Sequence, residues 1–179
     1  AVSPKGLEFR IESFVEGSLK RLNVDRLQGV YLHNECDLSS KLSDYIYSYL
    51  LKLRNNGVIS QFGISTYSVK NSVQICGDYS IDIIQMPANI LDRTINQNAI
   101  QALTARNNVK LVARSIFLQG LLLLALSKIP KYFQKWQPLL QEWDTWVATN
   151  GTSKLSACLS FIESLNNLEG FVIGVESRQ

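Results

Sequence analysis

The sequence holds a single histidine, His33, in 179 residues. A two-histidine zinc motif such as H-E-x-x-H is therefore excluded. Its cysteines, Cys36, Cys76 and Cys158, are odd in number and widely spaced. They indicate neither a disulfide framework nor a zinc site. Charge of one sign is also scarce, because 18 Lys and Arg against 15 Asp and Glu leave +3. That surplus gives no argument for a nucleic-acid partner. Long apolar runs are missing too. The longest, Ile116 to Leu126, is interrupted by Gln119 and Gly120, and it falls short of the ~20 residues that a spanning helix needs. No membrane partner is expected. No basic, apolar and cleavage-site pattern opens the chain, so the expected location is cytoplasmic. Asn150-Gly-Thr152 matches a glycosylation acceptor and is discounted for the same reason. Neither G-x-G-x-x-G nor G-x-x-x-x-G-K occurs, so the two common nucleotide-binding sheet types lose support.

What is present suits a folded core: 46% hydrophobic and 18% charged residues argue against disorder. Short apolar runs alternate with amphipathic segments. Strands are predicted at 27–33, 58–65, 81–85, 109–115 and 170–174. Helices are predicted at 9–22, 41–55, 69–77, 94–106 and 154–165, with a longer irregular or helical insert reaching Trp146. Trp136, Trp143 and Trp146, with Leu139 and Leu140, are spaced for a helix packed on the outside.

Strands separated by helices imply parallel βαβ units. An α/β chain without a Gly-rich fingerprint leaves a (β/α)8 barrel as the best architecture. A full barrel takes about 250 residues, so five units imply a partial one. No linker divides the chain, and residues 1–179 read as a single domain. The chain starts at Ala1, has its only Met at Met86, and stops soon after a strand-like run. We therefore expect a piece of a longer protein, cut at both ends.

Five segments in order resemble signatures of the aldo-keto reductase family. Ser18-Leu-Lys-Arg-Leu-Asn-Val-Asp25 leads to Val30-Tyr-Leu-His33, similar to S-L-x-R-L-x-x-D before a strand ending L-H. Gly57-Val-Ile-Ser-Gln-Phe-Gly-Ile-Ser65 is similar to G-x-I-R-x-x-G-V-S. Ile84-Gln85-Met-Pro-Ala-Asn89 resembles a strand end carrying Q-x-x-y-N. Arg114-Ser115-Ile-Phe117-Leu-Gln119-Gly120-Leu resembles Y-S-P-L-x-x-G-L, in the form of a bacterial branch. Val172-Ile-Gly174-Val-Glu-Ser177 is similar to the last-strand turn. The resemblance covers nearly the whole chain and corresponds to strands four to eight of the family barrel. It implies an NAD(P)(H)-dependent oxidoreductase that exchanges hydride with a small carbonyl or sugar-like substrate, with NADP placed ahead of NAD.

The resemblance also implies site residues. His33 would be the histidine of the family's Asp-Tyr-Lys-His set. At a strand's C-terminal end a neutral imidazole can donate a hydrogen bond to a carbonyl. The reading of His33 as a capping or packing residue stays open. The family's Asp, Tyr and Lys have no match here, and Tyr31 is not at the matching position. Ser65, Thr66 and Gln85 would meet the nicotinamide amide, which offers one acceptor and two donors, with Thr66 replacing the family's Asn. Arg114 stands where the family commonly has a Tyr stacked on nicotinamide. Its alternative is an ion pair with Asp82 or Asp92. Ser115, Phe117, Gln119, Gly120, Gly174 and Ser177 would face the cofactor and its phosphates. The chain by itself is expected to be inactive. The competing reading is a catalytically incomplete barrel acting as a binding or regulatory module.

Overall fold

The computed structural model describes residues 4–175. Helix α1 (Pro4–Leu22) precedes strand β1 (Leu27–Leu32). A 3-10 turn (Glu35–Ser39) and α2 (Ser43–Asn55) lead to β2 (Ile59–Ser65). Then come α3 (Val69–Asp78), β3 (Ile83–Pro87), α4 (Asn98–Asn107) and β4 (Lys110–Arg114). Three 3-10 turns (Leu121–Leu123, Leu126–Lys128, Lys131–Trp136) carry the insert to α5 (Gln137–Thr149). Helix α6 (Lys154–Glu163) and β5 (Leu168–Phe171) complete the order. All five strands pair parallel, in the order β1-β2-β3-β4-β5. This sheet is part of a (β/α)8 barrel.

Local chemistry sets the element ends. Gly57 sits at φ +75 after α2, with Val58 N–H donating to Leu53 O and Gly57 N–H to Arg54 O. That pair of bonds is a Schellman stop, which a residue without Cβ enters at no steric cost. Ser68 caps α3 by accepting from Asn71 N–H, which satisfies one orphan donor of the first turn. Several expected elements shift: α1 begins at Pro4 and not at Phe9, and β5 covers Leu168–Phe171 and not 170–174. The expected helix from Thr94 begins as a 3-10 turn and turns α-helical only at Asn98. Gln101 reaches back over that break to Ile95 O. The expected strand from Ile81 starts at Ile83; just before it, the Asp82 carboxylate accepts from Arg54 and from the Phe62 N–H.

Strand register sorts residues onto two faces. Ile64, Ile84 and Leu111 are register partners and fully buried, as are Phe62 and Met86. They pack with Leu50, Ile75 and Ile100 of the covering helices in the main core. The opposite face carries Tyr31, Gln61, Ser65, Gln85, Lys110 and Arg114, aligned through Tyr31↔Gly63, Ser65↔Gln85 and Pro87↔Arg114. That face also carries the buried Leu27, Ile83 and Val112, so its polar groups share it with apolar side chains. Strands β2 and β3 approach closely at Gly63, where a Cβ would lie 1.6 Å from Ile83 O. A smaller core beneath the insert joins Leu122, Trp143, Val147 and Cys158. Of the expected exterior helix, Leu140 and Trp143 are buried, while Leu139 and Trp146 remain exposed.

Candidate active site

Three strand ends deliver one chain of hydrogen bonds. Ser65 Oγ donates to Gln85 Oε1 at 3.0 Å. Arg114 Nε donates to Ser65 Oγ at 3.2 Å. Arg114 Nη1 donates to the Tyr67 hydroxyl at 3.0 Å and lies 3.4 Å from Ser115 Oγ. The guanidinium carbon stands 4.1 Å from the centre of the Tyr67 ring. The alternative expectation for Arg114 is not realised. Asp82 is taken by Arg54 at 2.9 Å, and Asp92 Oδ1 accepts from Thr94 N–H. Among the described residues no carboxylate pairs with Arg114.

The rest of the expected set is arranged unevenly. His33 directly follows β1 and is exposed. Tyr31, two residues earlier and so on the same face, has its phenol pushed up in pKa because burial disfavours the phenolate. Thr66 is only 1% exposed, and its hydroxyl accepts from Ser68 N–H at 2.9 Å. Its side chain thus holds the turn into α3 and not the open strand ends. Asn89 is equally buried; its Oδ1 accepts from Leu91 and Asp92 N–H, and its Nδ2 donates to Ser115 O. It ties the loop after β3 to the loop after β4.

That second loop is tightly coiled. Ser115, Leu118 and Gln119 have φ of +56, +47 and +54, and Gly120 has +86. Left-handed non-glycine residues in succession are strained and cluster at functional loops. Among the described residues the N–H groups of Phe117 and Gln119 find no backbone acceptor. Turns of this kind present their amides to anions. The loop and β5 enclose a cleft of about 700 Å³, whose lining includes Arg114, Ser115, Phe117, Gln119, Gly120 and Gly174. Ser177 lies outside the described residues. Sequence reasoning missed Tyr67: it is three-quarters exposed, and an exposed loop tyrosine carries no sequence pattern. A similarly large groove lies apart from these strand ends, between the loop after β3 and α5–α6, lined by Leu91, Arg93, Trp146 and Phe161 among others.

A carboxamide-bearing dinucleotide fits this arrangement chemically. Gln85 Oε1 is occupied by Ser65, which leaves the amide nitrogen of Gln85 to donate. The adjoining cleft combines a cationic side chain with a loop whose Phe117 and Gln119 N–H groups have no backbone acceptor among the described residues.

The family model described as "Aldo/keto reductase family" matches residues 2–179. Comparison with curated proteins finds no match. Among solved structures, the apo form of aldo-keto reductase AKR11C1 from Bacillus halodurans superposes with a TM-score of 0.74 at 22% identity, covering 95% of this chain and 59% of that one. Its holo form gives 0.68 at 22% identity, with 99% and 59% covered. Glycerol dehydrogenase AKR11B4 from Gluconobacter oxydans gives 0.67 at 22% identity, with 92% and 54% covered. The chain thus spans little more than half the length of these proteins.

Proposed function

The chain belongs to the aldo/keto reductase family, and on that premise we propose that it carries the cofactor-binding half of an NAD(P)(H)-dependent oxidoreductase acting on a small carbonyl or sugar-like substrate. The bound cofactor would supply the hydride donor or acceptor. One observation carries the reading. Six residues expected from sequence to bind the cofactor line a single cleft, and Arg114 links that cleft by hydrogen bond to Ser65 and through it to Gln85.

In this reading Ser65 and Gln85 orient the nicotinamide carboxamide, with Gln85 donating and the Ser65 hydroxyl completing the polar set. The loop from Ser115 to Gly120 brings backbone amides and small side chains to the pyrophosphate. Gly174 and Ser177 belong to the same phosphate-facing group. Thr66 supports Ser65 by fixing the turn that follows it. His33 donates a hydrogen bond to the substrate carbonyl and so orients it for hydride exchange. NADP ahead of NAD, a single domain over residues 1–179, and a cytoplasmic setting are part of the same proposal.

The test is direct. The purified protein is titrated with reduced and oxidised NADP and NAD, following nicotinamide fluorescence and competition. Saturable binding that Gln85→Ala weakens supports the reading. No saturable binding of any of the four removes it.

A further inference from the structure

Arg114 is the point at which this site departs most from the family pattern, and its surroundings give that departure a direction. The guanidinium has no carboxylate partner among the described residues. Its Nε is fixed by Ser65 and its Nη1 by the Tyr67 hydroxyl. The Tyr67 ring covers it with 4.1 Å between guanidinium carbon and ring centre. A cation held in this way lies over an aromatic ring, with no carboxylate to neutralise it among the described residues.

We propose that Tyr67 is a positioning residue that holds the Arg114 cation against the nicotinamide, so that the site discriminates the reduced from the oxidised cofactor. The inference rests on reading the cleft as a nicotinamide-cofactor site. The reduced nicotinamide ring is neutral and electron-rich, and a guanidinium stacks on such a ring favourably. The oxidised ring carries a positive charge, and two like charges about 4 Å apart repel even at the dielectric constant of water. Tyr67 contributes in two ways. Its hydroxyl accepts from the guanidinium and its ring lies under the guanidinium carbon, and together they restrict where the cation can go. Without it, Arg114 keeps its charge but swings into solvent, where the charge is hydrated and screened. Both the attraction to the reduced ring and the repulsion of the oxidised ring then fade. A residue that merely stabilised the loop would weaken both cofactor forms alike, so the ratio of the two affinities reports the proposed role.

The experiment measures dissociation constants of the reduced and oxidised cofactor, in the form that binds more tightly, for four proteins: the original, Tyr67→Phe, Tyr67→Leu and Arg114→Gln. The original is expected to favour the reduced form by at least about fivefold. Tyr67→Leu should weaken the reduced form by about 3- to 30-fold and leave the oxidised form unchanged or tighter. Tyr67→Phe keeps the ring and should stay within about threefold of the original ratio. Arg114→Gln should bring the two affinities closest together. Thermal melting of each variant identifies one that has lost its fold, and Tyr67 is exposed enough for its replacement to be tolerated. If the original binds cofactor but Tyr67→Leu leaves the ratio unchanged, Tyr67 has no such role while the cofactor site stands. An original that prefers the oxidised form overturns the charge argument. If the original binds neither form, the cofactor reading falls, and this inference with it.

Discussion

Replacing Gly63 by Ala should unpick the sheet at the point that aligns Ser65 with Gln85. The ideal Cβ would meet Ile83 O at 1.6 Å, Ile83 C at 2.7 Å and Ile83 Cγ2 at 2.8 Å. The nearest of these is backbone, so no side-chain rotation relieves it. An ordinary carbon–oxygen contact is ~3.3 Å, so β2 and β3 would have to part by about 1.7 Å. That movement breaks the pairing Gly63↔Ile83 and strains Ser65↔Gln85 two residues on. A backbone clash of this depth belongs with the largest single-residue losses, about 3–5 kcal/mol. Domains typically hold only about 5–15 kcal/mol in total. Gly29, on the same sheet face and one strand away, is the internal control, because a Cβ there meets nothing within 4 Å. Gly29→Ala should stay within about 0.5 kcal/mol or gain slightly, since it lowers the entropy of the unfolded chain. Urea unfolding of both variants, with midpoint and slope compared, reads the difference. A loss below about 1 kcal/mol for Gly63→Ala, with Gln85-dependent cofactor binding intact, would show that the close approach does not constrain the site.

Gln85→Ala should weaken cofactor binding by about 1–3 kcal/mol, the cost of leaving a carboxamide without its partner; an unchanged dissociation constant would remove Gln85 from the site. Ser68→Ala should cost about 1 kcal/mol in urea unfolding by uncapping α3, where Ser68 Oγ accepts from Asn71 N–H at 3.1 Å. The thiols should separate in a timed alkylation. Cys36 is exposed, whereas burial pushes Cys76 and Cys158 up to about 11. At pH 8 only about one in a thousand of each buried thiol is ionised, so one cysteine should react fast and two slowly. The same shifts set the sign of a stability change. The folded state holds these protons more tightly than the unfolded chain, where the value is 9.0. Their contribution is complete below pH 9 and is lost as pH rises toward 11. An unfolding midpoint that climbs over that interval would contradict it.

Alternation of apolar runs with amphipathic segments, read with the absence of any Gly-rich fingerprint, was enough to place five parallel strands, because side-chain periodicity is a local property of the chain. Gln85, Ser65 and the stretch from Arg114 to Gly120 were singled out by the resemblance to family motifs, and the structure puts them at or just after strand ends, where such a sheet presents its loops. Boundaries slipped by a few residues, as at β3, which starts at Ile83, and at β5, which covers Leu168–Phe171. The partner of Arg114 could not be read at all. Charge alone offered Asp82 or Asp92, but the folded chain gives Asp82 to Arg54, turns the Asp92 carboxylate to the Thr94 N–H, and lays Tyr67 on the guanidinium. Thr66 is a similar case, a strand-end hydroxyl by position and a helix-entry hydrogen bond in space. Residue type and order thus determined which groups stand at the strand ends. Which of them touch is a matter of register between β2, β3 and β4, and that register exists only once the helices have buried the other face.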